Sequence, residues 1–365
     1  MTDNFDIYAG QLVADGIDTT APLIAFDKTG ATTDLRVLDG IMGKIGKMVF
    51  KQPKIFTGPL DALFTKGSLP YGSASEIVSV IDATPNAKEN GTCVPRGQVP
   101  ITSQLNIANF AYAVDVEVKD PVLAKYVNDA GQLAEFVSMI LSTPQKRIAS
   151  LKYASQKHLV SNVIDGTRAI TSDTKSDGSG DAVSYTSGTI TGYCGKVEDV
   201  EYTTATLDIA GAKDILDMVE DAYDQMIFEN KVYSVSGNND FLMGTPNIII
   251  EKDLLRAMDR VLSGITATHP STDETGSQRL GKIGNVVAID TFDSIPVDVA
   301  HAGETIGVVI ADPQIFHEDY LYANMESERC VKQRLTGYSY RGESIFYADR
   351  SAPAYAVLMD KPASP

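Results

Sequence analysis

The stretch from Phe241 to Asp312 constrains the fold most, because its strand and helix periods can be read almost residue by residue. Asn247-Ile248-Ile249-Ile250-Glu251 has strand composition. From Lys252 to Leu262, the residues Leu254, Leu255, Met258, Val261 and Leu262 recur at helical spacing on one face. A polar segment, Ser263 to Arg279, reads as a long loop. Three further strands are expected at residues 285–290, 295–299 and 305–312. Turn chemistry at Gly281-Lys282-Ile283-Gly284 and Asp293-Ser294-Ile295-Pro296 closes the unit.

Charge narrows the function classes. The 365 residues include 48 Asp and Glu against 31 Lys and Arg, a formal net charge of −17. A surface that grips duplex DNA needs an excess of cations to displace counterions, and this chain has the opposite. Cys93, Cys194 and Cys330 lie far apart without a C-x-x-C pair, so neither a zinc ribbon nor a disulfide framework is expected. Met1 to Asp6 lacks a basic and an apolar signal region, and no apolar run approaches the roughly 20 residues that cross a bilayer. The composition suits a soluble protein made inside the cell, with no membrane partner.

Residues 1–50 are rich in Gly, Thr and Asp, which fits either an extended arm or irregular N-terminal strands. Residues 66–118 read as a long hairpin. Glu76 to Asp82 forms one limb, and a tip follows at Thr84-Pro85-Asn86-Ala87-Lys88-Glu89-Asn90-Gly91-Thr92. The return limb reaches the alternating run Ala111 to Val118. Such a ribbon has little core of its own, so its stability is expected to come from another subunit.

Asp120-Pro121 opens a helical stretch to about Ile164, with a restart or kink at Thr143-Pro144. Ser172 to Gly192 is a polar insert. Leu207 to Glu229 is the clearest amphipathic helix, with Asp217, Glu220, Asp221 and Asp224 among seven acidic residues beside one basic residue, Lys213. These acids suit a solvated face, a face paired with Lys146, Arg147, Lys152 or Lys157, or a wall facing packed DNA of like charge. Further strands are expected at Ser344 to Tyr347 and Ala354 to Met359.

Catalytic and ligand motifs fail on inspection. Gly40 to Met48 is one residue too long for a phosphate loop, and Met48 stands where a hydroxyl should hold magnesium. In Asp173 to Asp181, Lys175 occupies a calcium-ligand position and Ser184 replaces the closing Glu. His158, His269, His301 and His317 show no metal-binding spacing. No cofactor and no catalytic residue is assigned. The enzymatic alternative is a cryptic site around His301, Asp312 and His317.

Lys66-Gly67-Ser68-Leu69-Pro70-Tyr71-Gly72 with Glu76-Ile77 resembles the start of the extended loop in tailed-phage major capsid proteins of the Hong Kong 97 type, in particular those of small short-tailed phages. Asp120-Pro121-Val122-Leu123 with Ala134-Glu135-Phe136-Val137-Ser138 is similar to their entry to the spine helix. Lys282 to Asp290 and Ala311-Asp312-Pro313-Gln314 resemble their axial strand and the segment after it. The order of elements agrees over nearly the whole chain, although each motif is weak.

The resemblance implies an α+β fold with an N-terminal arm (1–50), an extended β-hairpin loop and its base (51–118), and a peripheral domain with the spine helix and the acidic helix (119–240). An axial domain (241–312) and a return to the peripheral sheet (313–365) follow. It implies a structural subunit and not an enzyme: pentamers and hexamers closing an icosahedral shell around double-stranded DNA bound without sequence specificity. A scaffolding protein and a portal are the implied partners, with assembly in the host cytoplasm into the virion capsid. Thr84, Pro85, Asn86, Lys88, Asn90 and Gly91 would form the clasp, and Asp217, Glu220, Asp221 and Asp224 would face the lumen. An encapsulin-like nanocompartment shell has the same fold and remains open.

Overall fold

The computed structural model describes residues 55–80, 101–119, 130–163, 167–170, 173–176, 182–185, 188–235, 240–268, 275–293, 303–330 and 335–360. These belong to the second of two compact units, Pro53–Pro365, the first being Met1–Gln52. In chain order the strands are β1 (Thr65–Ser68), β2 (Ser75–Val80), β3 (Ile101–Asn106), β4 (Phe110–Lys119), β5 (Thr167–Ile170), β6 (Asp173–Ser176), β7 (Ala182–Tyr185) and β8 (Gly188–Thr191). They continue with β9 (Lys196–Val200), β10 (Asn247–Glu251), β11 (Asn285–Ile289), β12 (Glu304–Ala311), β13 (Phe316–Cys330), β14 (Leu335–Ala348) and β15 (Ala354–Asp360). The helices are α1 (Ala130–Val160), α2 (Ile209–Met226), α3 (Lys252–Thr268) and α4 (Gly276–Ile283), and a 3-10 turn covers Pro59–Leu63.

The triple-isoleucine run becomes β10, inside a five-stranded sheet ordered β11-β10-β12-β15-β9. Its residues are buried on both faces, and the period of two divides them between two cores. Ile248 and Ile250 join Val308, Ile310, Val357 and Met359 beneath α2, α3 and α4. Ile249 turns the other way, toward Val309, Leu358, Phe316, Phe346 and Val160 at the end of α1. β10 and β11 run parallel, joined through α3 and α4, whereas β12 returns antiparallel to β10. Gly303, at φ 89°, opens β12 in the left-handed region, where a side chain would be strained.

Within 241–312, the expected strands 247–251, 285–290 and 305–312 are present, and residues 295–299 lie outside the described residues. The expected loop from Ser263 to Arg279 is corrected. α3 runs on to Thr268, with Ser263 Oγ donating back to the Arg260 carbonyl, and Thr275 starts α4 with a reciprocal capping box to Gln278. Gly281 to Gly284 is therefore helix end, and not turn.

The C-terminal strand expected at Ala354 to Met359 is present as β15, which pairs with β12 and β9 inside the five-stranded sheet. β9 and α2, from the 119–240 stretch, join the same layer and core. Burial explains the placement: six consecutive residues, Ala354 to Met359, are buried, which suits a strand covered on both faces.

A second sheet has the order β1-β13-β14-β4. β13 and β14 form a long antiparallel pair with a register shift between Tyr320 and Tyr322. β13 went unrecognised in the sequence because its outer half, Ala323 to Arg329, is exposed and carries no buried alternation. Gly67 lies on β1 where a Cβ would run into the Asp319 carboxylate, so a side chain there would require that carboxylate to move.

The expected helix restart is corrected. α1 is continuous through Pro144, and Thr143 is no N-cap: its hydroxyl and that of Ser142 donate to the Met139 carbonyl, at 3.3 and 2.7 Å. Within the polar insert β6 pairs with β7, and β8 pairs with β5, which precedes the insert, both in continuous antiparallel register.

Candidate functional site

The hairpin expected over 66–118 exists with a different return limb. β2 pairs with β3, Ser75 opposite Asn106 through Val80 opposite Ile101. The alternating run Ala111 to Val118 lies in β4, which pairs with β14 and not with β2. The chain changes partner between Asn106 and Phe110, where both amide atoms of Asn109 bond the main chain of Phe346. The tip residues Thr84, Pro85, Asn86, Lys88, Asn90 and Gly91 lie outside the described residues.

The β2–β3 ribbon has two unlike faces. One is fixed to the body. Ser75 Oγ donates to Tyr347 Oη at 3.0 Å, Gln104 Nε2 donates to the Ala348 carbonyl at 2.8 Å, and Ile77 packs on Leu321, Ile345 and Tyr347. The other face carries Val78, Ile101 and Leu105 at 59, 65 and 66% exposure, continued by Ile107 at 67%. Large apolar side chains aligned on one side of a ribbon, with no cover among the described residues, mark an interaction surface. The sequence alternation carried this signal in β3, but the partner of β4 was not legible.

A charged node anchors the ribbon's neighbours. Lys152 of α1 reaches Glu318 Oε2 at 2.7 Å and Asp61 Oδ1 at 2.8 Å, and Lys66 reaches Asp61 Oδ2 at 2.7 Å. Burial works against ionisation of Asp61, but the hydrogen bonds from Lys152 and Lys66 prevail and lower its pKa to about 2. The node ties the 3-10 turn, β1, α1 and β13 together. Lys157 takes a different pair, Asp290 and Asp293.

On α2, the expected acidic face is divided. Arg279 of α4 binds Asp217 at 2.8 Å and forks onto both oxygens of Glu220 at 2.8 and 2.7 Å. The partner is therefore Arg279, and not the basic half of α1. Asp221 and Asp224 remain exposed. Asp199, Glu201, Asp214, Asp217 and Asp221 line a cleft of about 590 Å³ between β9 and α2. Among the described residues no group of three His, Cys, Asp or Glu side chains is placed to hold a metal ion.

The cryptic enzyme site does not come together among the described residues. Asp312 accepts the Met243 amide on one oxygen and the Gln314 amide on the other, at 2.9 and 2.8 Å. His317 stacks on Tyr347 at 4.9 Å, and His301 lies outside the described residues. Both of the placed groups are committed to holding loops and strands.

No protein-family model matches the chain. No curated protein matches it in sequence. Solved structures do. The capsid of cyanophage P-SCSP1u aligns at TM-score 0.54 and 9% identity, over 88% of this chain and 94% of that one. The mature capsid of bacteriophage PhiM1 aligns at TM-score 0.55 and 8% identity, covering 88% and 92%. The capsid of Staphylococcus phage Andhra aligns at TM-score 0.54 and 12% identity, covering 88% of each chain. The chain thus shares the α+β fold found in phage capsid structures.

Proposed function

We propose that this chain is the major capsid protein of a bacteriophage, a self-assembling subunit of an icosahedral shell around double-stranded DNA. The carrying observation is the apolar outer face of β2–β3, exposed among the described residues of a fold that matches capsid structures over most of its length. In this reading the ribbon lies on an adjoining copy within pentamers and hexamers. Burying Val78, Ile101, Leu105 and Ile107 would contribute about 1.5–3 kcal/mol each. The tip, Thr84 to Gly91, extends that contact, and scaffolding protein and portal act during assembly in the host cytoplasm.

The exposed acids Asp221 and Asp224, with Asp217 and Glu220 held by Arg279, face the lumen and limit adhesion of packed DNA. The subunit performs no catalysis. Size-exclusion chromatography and negative-stain microscopy of the expressed protein test the reading. Closed particles or ring-shaped capsomers are expected. A compact monomer at every concentration would overturn it.

A further inference from the structure

Beside the base of the ribbon, where β3 meets the turn after β14, lies a cavity of about 140 Å³. Gln104, Asn106, Asn162, Tyr193, Tyr347 and Arg350 contribute to its wall, and no Asp or Glu does. In a chain with 48 acidic residues, a cavity whose only formal charge is an arginine stands apart.

The hydrogen bonds around it fix which atoms are left over. The Arg350 amide donates to Gln104 Oε1 at 3.3 Å, and Gln104 Nε2 donates to the Ala348 carbonyl at 2.8 Å. A main-chain N–H can only donate and a main-chain carbonyl can only accept, so the Gln104 amide has one orientation. Its Nε2 also donates to Asn106 Oδ1 at 2.9 Å, which orients the second amide in turn. Asn106 Nδ2 is then a buried donor with no acceptor among the described residues. The two phenols are occupied: Tyr193 donates to the Val160 carbonyl and Tyr347 to Asp319.

Arg350 is in the same position. It enters none of the ion pairs among the described residues. Burial alone acts on its guanidinium and lowers its pKa. The neighbouring Asp349 carboxylate is engaged on the Ser351 amide and hydroxyl at 2.8 and 2.6 Å. Arg350 and Asn106 line the same cavity, and among the described residues neither side chain has an acceptor, so one kind of group can serve both.

We propose that this cavity binds a small oxyanion, with the Arg350 guanidinium and Asn106 Nδ2 as its donors. The space equals about four to five water volumes, enough for a phosphate or a carboxylate. Both present paired acceptor oxygens to a guanidinium fork. The source is free phosphate or an Asp or Glu side chain of a second copy. Either one would hold β3, and with it the ribbon, against the body.

Calorimetric titration of the soluble subunit with phosphate, at constant ionic strength against chloride, tests this. Wild type should bind one equivalent. Arg350→Gln should bind at least about 10-fold more weakly, the loss of one charge-assisted contact. Asn106→Asp should not bind, because it keeps the oxygen facing Gln104 and fills the site with its own carboxylate. Arg350→Lys, which keeps the charge without the fork, should lose part of the affinity and serves if Arg350→Gln fails to fold. If wild type ignores phosphate but Arg350→Gln and Asn106→Asp both weaken self-association in sedimentation velocity, the occupant is a neighbour's carboxylate. Phosphate binding that is equal in wild type and Arg350→Gln, or variants that alter neither phosphate binding nor association, would overturn the proposal.

Discussion

Lys152 Nζ lies 2.7 Å from Glu318 Oε2, and the Glu318 side chain is 1% exposed. A buried carboxylate in that position requires its cation. Lys152→Met should therefore destabilise the subunit by about 3–5 kcal/mol, because Glu318 is left charged and unpaired. Adding Glu318→Gln should recover most of the loss. Chemical denaturation of the two singles and the double measures the coupling, and additive losses would remove the pair from the account of how α1 is held.

Asp61 makes the same node sensitive to acid. Its pKa is held at about 2 in the folded chain, below its ordinary 3.8. A lowered carboxylate pKa adds stability that is fully present above the unfolded value and is lost as pH falls through the folded one. The melting temperature of wild type should thus fall between about pH 4 and pH 2 more steeply than that of Asp61→Asn. Parallel curves for the two proteins would mean that Asp61 is not held by Lys152 and Lys66 in solution.

Arg279 joins α2 to α4 through Asp217 and Glu220. Both acids are partly exposed, so Arg279→Gln should cost only about 1 kcal/mol and the cost should shrink in high salt. Urea denaturation at two ionic strengths checks both statements.

The core makes a larger demand. Ile249 is fully buried on the face of β10 that meets Phe316 and Phe346. Ile249→Ala should cost about 2–5 kcal/mol in equilibrium unfolding. A loss under 1 kcal/mol would place β10 nearer a surface than its burial allows.

Asp221 and Asp224 are, with Asp214, the acids of α2 that Arg279 leaves alone. Asp221→Lys with Asp224→Lys should fold normally and give shells that retain nucleic acid at low salt, read from the 260 to 280 nm absorbance ratio. Shells as free of nucleic acid as wild type would argue against a lumenal face.

Legibility in the sequence followed burial. β10, β12, α2 and α3 were readable because continuous or periodic burial leaves a pattern in the residues themselves, as in Ile248 to Ile250 and in Leu254, Met258 and Leu262. β13 was not, since its exposed outer half has no such pattern, and α4 was hidden in a polar segment whose helix is set by the Thr275–Gln278 box and by the Asp259 carboxylate accepting the Ser277 amide. Strand partners were the least legible: the alternation of Ala111 to Val118 fits β2 as well as β14, and the bonds of Asn109 to Phe346 decide it. Of the candidate site, the existence of a ribbon and its first limb were visible, but β3 with Ile101 and Leu105 was not singled out. The partners of its fixed face, Tyr347, Ala348 and Arg350, lie more than 240 positions away, beyond the reach of local pattern.

The outer face of the ribbon bears on the central claim most directly. Replacing Val78, Ile101 and Leu105 together by serine removes the apolar surface and leaves Ser75, Ile77 and Gln104 on the body. Sedimentation velocity of this variant beside wild type, with melting curves to verify the fold, should show a stable subunit that stays small while wild type forms particles. Closed particles of normal size from the triple variant would contradict the assembly role assigned to this face.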